Sequence, residues 1–113
     1  MTYDQALSKY EKLIELHPSI ERKGKTMPYT SINGHMTSFL SKEGQLGMRL
    51  SAADLATFID EHQANLMEQH GRVMKEYVEV PEGLLDQVEE LSLYFQKSID
   101  YVSGLKPKAS KKK

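Results

Sequence analysis

Apolar side chains recur every three or four residues in three segments of the chain, and this spacing predicts three amphipathic helices. The first runs from a capping box at Thr2 to about His17. The second follows Ser51, and the third spans about 82–103, with a break allowed at Ser92. Each helix therefore has one apolar side that can cover a core.

Between the first two helices, apolar and polar residues alternate as they do in strands, and two turns divide this segment into a three-stranded meander. Asn33-Gly34 predicts a two-residue hairpin turn, and Gly44 predicts a second turn in which it takes the left-handed conformation. Counting outward from these turns fixes the partner of each residue. The predicted pairs are Ile32–His35, Ser31–Met36, Tyr29–Ser38, Met27–Leu40, Leu40–Leu46, Ser38–Met48 and Met36–Leu50.

This register divides the meander into an apolar face and a mixed face, because directly paired residues point to the same side of a sheet. The apolar face collects Met27, Tyr29, Met36, Leu40, Leu46, Met48 and Leu50. On the mixed face Phe39 pairs with Gly47, which leaves a gap. An apolar group rimmed by polar residues is typical of a symmetric interface. We therefore expect a homodimer through Ile32, Phe39 and, from a later strand, Tyr77.

The alternation at 74–80 predicts that later strand, with Met74 on the same side as Val78. Residues 64–72 before it have the character of a loop, with at most a short strand near Met67-Glu68. The resulting order is helix, three strands, helix, one or two strands, helix. This order places helices on one face of an antiparallel sheet, so the predicted fold class is α+β, a two-layer sandwich.

Charge is distributed unevenly along the chain. The net charge of -1 includes five lysines and no acid in the last eight residues, which leaves 10 Lys and Arg against 16 Asp and Glu in the body. A body of net charge -6 repels phosphate backbones. We expect one domain at 1–105 and a disordered lysine-rich tail at 106–113. The tail is either a solubilising end or a weak contact for nucleic acid or acidic lipid.

The sequence offers no evident catalytic or metal-binding constellation. It has no cysteine, no G-x-S-x-G motif and no two histidines three or four residues apart. We therefore predict no enzyme activity, no cofactor and no metal, and no segment is apolar enough for a membrane helix. Five methionines favour core packing, with a binding surface as the alternative. They are Met27, Met36, Met48, Met67 and Met74.

The segment GRVMKEYVEV, residues 71–80, places two cations at the entry of the later strand. Gly71 is expected to supply a backbone turn before that strand. Two interpretations of Arg72 and Lys75 remain open. Either they are solvent-exposed charges at the sheet edge that balance the acidic body, or they form a small cationic patch for an acidic partner surface.

Two motifs give the chain a resemblance to a known family. Residues matching G-R-x-M-K-x-[FY]-V are Gly71, Arg72, Met74, Lys75, Tyr77 and Val78. Residues matching a terminal S-L-x-P-K with a lysine-rich end are Leu105, Pro107 and Lys108. With the order of elements, these motifs resemble the TfoX/Sxy N-terminal domain family. Met27-Pro28-Tyr29-Thr30 stands where that family usually has Met-Phe-Gly-Gly, and its full-length competence regulators carry a second domain, whereas one is predicted here.

The resemblance implies a small α+β domain, often dimeric, with a role in the transcriptional regulation of competence genes. We accordingly expect a cytoplasmic, non-enzymatic regulatory or protein-interaction domain that forms a homodimer and binds a protein partner, with no membrane contact. The alternative is a nucleic-acid-associated accessory protein that acts through its basic C-terminal tail.

Overall fold

A five-stranded antiparallel sheet carries the fold, with strand order β1-β2-β3-β5-β4. The computed structural model describes residues 2–24, 27–69 and 71–105. Its elements are α1 (Tyr3–Glu15), β1 (Tyr29–Ile32), β2 (His35–Leu40), β3 (Leu46–Arg49), α2 (Ala52–His62), β4 (Asn65–Gln69), β5 (Arg72–Glu79), α3 (Glu82–Leu85) and α4 (Val88–Ser103). This order confirms the predicted α+β class. The predicted tail at 106–113 lies outside the described residues.

The main core lies between the sheet and its helices, on what we call the helical face. Side chains from α1, α2, α3 and α4 pack there against the central strands, and the opposite side of the sheet is called the open face. The largest buried members of this core are Tyr10, Leu13, Leu40, Leu46, Met48, Leu50, Phe58, Leu85, Leu91 and Phe95. Leu40, Leu46 and Met48 therefore occupy the core as the turn registers predict.

Both predicted turns are present with the expected backbone geometry. Asn33 and Gly34 have φ angles of 53° and 84°, as a two-residue hairpin turn requires, and Gly44 has a φ of 82°. The pairs Ile32–His35 and Leu40–Leu46 form as predicted. Turn chemistry thus fixes the register close to each turn.

A β-bulge in β2 overturns part of the predicted register. The register shifts between Thr30 and Ser31, so that Tyr29 pairs with Phe39 instead of Ser38. Thr37 is the extra residue, and its hydroxyl bonds to that of Thr30, with both side chains fully buried. Tyr29 therefore shares the side of Phe39, the open face, and its predicted place on the apolar face is wrong.

The bulge is stabilised by a buried set of hydroxyl groups between the sheet and the helices. The Tyr10 hydroxyl lies 2.7 Å from Ser38 Oγ, and Thr30 Oγ1 lies 2.6 Å from the same atom. Ser98 Oγ donates to the carbonyl oxygen of Thr37 at 3.3 Å. Buried polar groups are costly unless they are hydrogen-bonded, so this network favours the bulged register over the regular one.

A Tyr10→Phe variant should lose about 1 kcal/mol of unfolding free energy near neutral pH, because one buried hydrogen bond is removed.

Burial raises the pKa of Tyr10 from 10.0 to about 12. Between these values the unfolded chain loses the Tyr10 proton and the folded chain keeps it, so the stability of the native protein falls as pH rises, by about 1.4 kcal/mol per pH unit. Urea unfolding measures the fall in unfolding free energy between about pH 9 and about pH 11, and this fall should be smaller for the variant than for the native protein. Equal losses in both proteins would contradict the buried phenol, and Tyr3→Phe is the control.

The β4–β5 hairpin replaces most of the loop predicted at 64–72. Gly71 has a φ of 75° and turns the chain between the strands, as expected. The register shifts after Leu66, which pairs with Val78, because the next pair is Met67 with Met74. Three residues of β5 are thus unmatched in β4. The expectation that Met74 shares the side of Val78 is wrong, since this irregularity turns Met74 to the open face.

The last predicted helix is divided earlier than expected. Helix α3 ends at Leu85 and α4 begins at Val88, so the break falls at Asp86-Gln87 and not at Ser92. Ser92 lies inside α4, and its hydroxyl is 2.8 Å from His17 Nε2. Among the described residues, even α4 with its 16 residues falls short of a bilayer-spanning helix.

Candidate interaction surface

A second, smaller cluster of buried side chains lies on the open face. Phe39 is only 1% exposed and Met67 is fully buried, yet neither belongs to the main core. Both pack over Gly47, because a Cβ built there would lie 2.7 Å from the Phe39 ring and 3.2 Å from Met67 Cγ. The gap at Gly47 is therefore filled from within the chain, and no partner side chain is needed there.

The expected dimer patch of Ile32, Phe39 and Tyr77 is not formed. Ile32 packs against the main core, which lies on the helical face. Phe39 is buried, and Tyr77 is half-buried with its ring centroid 5.9 Å from that of Phe39. The bulge places Ile32 on the helical face, whereas Phe39 and Tyr77 stay in contact with each other on the open face, so the three residues do not form one exposed patch.

Tyr77 joins strands and does not stand free. Its hydroxyl donates to the carbonyl oxygen of Met36 at 2.9 Å, which ties β5 to β2. Burial raises the pKa of Tyr77. Beside it, Arg49 Nη2 lies 2.6 Å from Glu76 Oε1, and Tyr101 donates to Glu76 Oε2 at 3.1 Å. The polar groups of these side chains are hydrogen-bonded within the chain, so this part of the open face holds the fold together.

The tip of the β4–β5 hairpin is different, because its side chains are left to solvent. Arg72 and Lys75 are both exposed, and neither forms an ion pair with another residue in the described ranges. Val73 between them is 52% exposed, which is high for an apolar side chain. A Cβ at Gly71 would meet nothing within 4 Å, so glycine is needed there for its positive φ angle and not for lack of space. We call Arg72, Val73 and Lys75 the hairpin tip.

A small pocket adjoins the hairpin tip on the open face. It is a concavity of about 190 Å³, open to solvent, which we call the methionine pocket. Its lining consists of Met27, Met36, Phe39, Gln69 and Met74. Sequence reasoning missed it, because Met36 and Met74 were expected on the helical side. Of the five methionines singled out above, Met48 and Met67 fill cores, and the other three line this pocket.

Other concavities in the described part of the chain lie away from the hairpin tip. One of about 510 Å³ runs between α1 and the start of α4, where Lys9 pairs with Asp86 at 3.2 Å. The side chain of His62 packs against the rings of Phe58 and Tyr94, with centroid distances of 4.9 and 5.4 Å. Within the described residues, no group of three His, Cys, Asp or Glu could hold a metal ion.

Comparison with family models, curated proteins and solved structures finds no match to this chain. The resemblance to the TfoX/Sxy family thus rests on the motif residues and the order of elements, and it stays a prediction. Of these residues, Gly71 has a conformational role, Tyr77 and Val78 are packed, and Arg72 and Lys75 are exposed. The exposed pair is the part of the motif that packing does not explain.

Proposed function

We propose that this chain is a non-enzymatic protein-interaction domain with a regulatory role, and that the hairpin tip is its contact surface. The observation that carries the proposal is the pair of exposed cations, Arg72 and Lys75, which find no acidic partner among the described residues. Lys9, Arg22 and Lys97 each lie within 4.0 Å of a carboxylate on the chain, whereas Lys12 and Lys42 are exposed without an ion pair among the described residues. The two cations of the hairpin tip differ from Lys12 and Lys42 because they lie close together on one strand with the exposed Val73.

Electrostatics supports an acidic protein surface as the partner. Unpaired cations on a projecting hairpin attract an acidic partner and orient its approach. The body of the domain carries a net charge of -6, which disfavours a nucleic-acid phosphate backbone. A polypeptide with local acidic charge fits the tip better, because its total charge is smaller than that of a nucleic acid.

The regulatory role, the homodimer and the cytoplasmic location belong to the same proposal, and the TfoX/Sxy resemblance supports them. We propose that two copies join through a surface other than Ile32, Phe39 and Tyr77, because these side chains pack within the chain. Sedimentation of the native protein over a range of concentrations measures the oligomeric state directly. A mass of one chain at every concentration would contradict the proposed homodimer but would not contradict the proposed interaction function.

Affinity capture from cells tests the proposed function. An Arg72→Glu/Lys75→Glu variant should capture about tenfold less of the partner protein, because both attractive charges become repulsive. The matched control is Lys12→Glu/Lys42→Glu, which makes the same change in net charge at exposed positions on α1 and in the turn after β2. This control should keep the partner.

Two outcomes would contradict the proposal. Equal capture by the native protein and the hairpin variant would remove the hairpin tip as the contact surface. Capture that disappears after nuclease treatment, and on deletion of residues 106–113, would favour the nucleic-acid-associated alternative. The five lysines in those eight residues are the feature that such a result would implicate.

A further inference from the structure

The methionine pocket has the size and lining of a site for one apolar side chain. Its volume of about 190 Å³ exceeds that of a cavity of about 150 Å³ known to hold benzene in another protein. Three thioether side chains and an aromatic ring form most of its wall, and the Gln69 amide is the polar member of its lining. Such a lining favours a leucine, methionine or phenylalanine side chain.

The floor of the pocket is fixed, whereas its walls can adapt. Phe39 is held over Gly47 with Met67 beside it, and the hydrogen bond from Tyr77 to the Met36 carbonyl joins β5 to β2. The walls are unbranched methionines, which adjust their shape at little cost and recur at surfaces that accept varied apolar partners. Met27 is the most exposed of the three methionines, at 37%, and lies at the solvent side of the pocket.

The charges beside the pocket define the chemistry of the occupant. In the register of the hairpin, Arg72 on β5 lies opposite Gln69 on β4, and Gln69 lines the pocket. Met74 is two residues beyond Arg72 along β5, so their backbones are about 7 Å apart. Lys75 directly follows Met74. Arg72 and Met74 share the open face, so an acidic side chain within two or three residues of an anchor in the pocket would reach Arg72, and Lys75 follows Met74 by one residue for a second carboxylate.

We infer that the methionine pocket binds one large apolar side chain from an acidic polypeptide segment whose carboxylates contact Arg72 and Lys75. This inference rests on the proposed function and names the chemistry of its partner. The acidic segment is favoured over a second copy of the chain by charge complementarity, because two identical hairpin tips would bring four cations together.

A displayed library of random peptides, selected on the full-length protein, provides the probe. Recovered sequences should be enriched in Asp and Glu around a single Leu, Met or Phe. A synthetic peptide of the recovered sequence is then titrated into protein labelled with ¹³C at the methionine methyl groups. The signals of Met27, Met36 and Met74 should shift, while that of Met48, buried in the main core, should stay unchanged.

Substitutions separate the pocket from the charges. A Met74→Gln variant should weaken binding of this peptide about tenfold, and so should alanine in place of the peptide's apolar residue. The control is Leu93→Gln, which changes an apolar side chain that is 66% exposed on α4 and should leave binding unchanged. If Met74→Gln fails to fold, the exposed Met27→Gln serves in its place.

The results distinguish failure of this inference from failure of the proposed function. If Arg72→Glu/Lys75→Glu abolishes partner capture but the three methyl signals do not move with peptide, the pocket is wrong and the hairpin function stands. Selection of peptides without the acidic and apolar pattern would also overturn the inference. If these methyl signals shift instead as the protein alone is concentrated, the pocket belongs to a contact between copies.

Discussion

Replacing Phe39 with alanine should lower the free energy of unfolding by about 3–5 kcal/mol. The ring is buried on the open face, where it fills the space above Gly47 and contacts the ring of Tyr77. Its removal leaves a cavity that Gly47 cannot fill, and it also removes the floor of the methionine pocket. Urea unfolding at two protein concentrations measures the effect, which should be the same at both.

Val73→Ala is the control for this experiment. It truncates an apolar side chain of β5 that is 52% exposed, and its cost should stay within about 0.5 kcal/mol. A loss below about 1 kcal/mol for Phe39→Ala, with a shift from dimer to monomer, would mean that the ring is an interface residue after all.

Replacing Leu40 with alanine should cost about 2–5 kcal/mol. Leu40 is fully buried in the main core and pairs with Leu46 at the end of β2. Both turns predict that Leu40 faces the core. Leu40 does lie on the helical face, although the bulge changes the pairing of β2 with β1. The unfolding free energy of the variant is therefore a test of the β2–β3 register.

Leu93→Ala provides the matched comparison, because it makes the same substitution at an exposed site on α4. Its effect should stay within about 0.5 kcal/mol. If Leu40→Ala cost no more than Leu93→Ala, the side chain at 40 would not lie in the core and the register would be wrong.

Much of the fold was predictable because turn chemistry acts locally. Asn33-Gly34 and Gly44 need positive φ angles, and their identities alone fix the first pairs beside each turn. The bulge at Thr37 was not predictable in this way. It depends on hydroxyl groups from Tyr10 and Ser98 that meet the sheet only after the helices pack. Counting residues outward from a turn cannot detect an inserted residue.

The candidate site was predictable in part for the same reason. The exposed cations Arg72 and Lys75 and the turn at Gly71 follow from the local sequence. The methionine pocket does not, since it needs one irregularity to turn Met36 and a second to turn Met74 toward the open face. The predicted patch assumed a regular β2, and the bulge places Ile32 on the opposite face from Phe39 and Tyr77.

The most direct test of the interaction function is the dissociation constant of the complex between this protein and the partner it captures. Titration calorimetry should give a constant about tenfold weaker for Arg72→Glu/Lys75→Glu than for the native protein, with less dependence on salt. For Lys12→Glu/Lys42→Glu it should stay within about twofold. Equal constants for all three proteins, or equal weakening by both double substitutions, would contradict a contact at the hairpin tip.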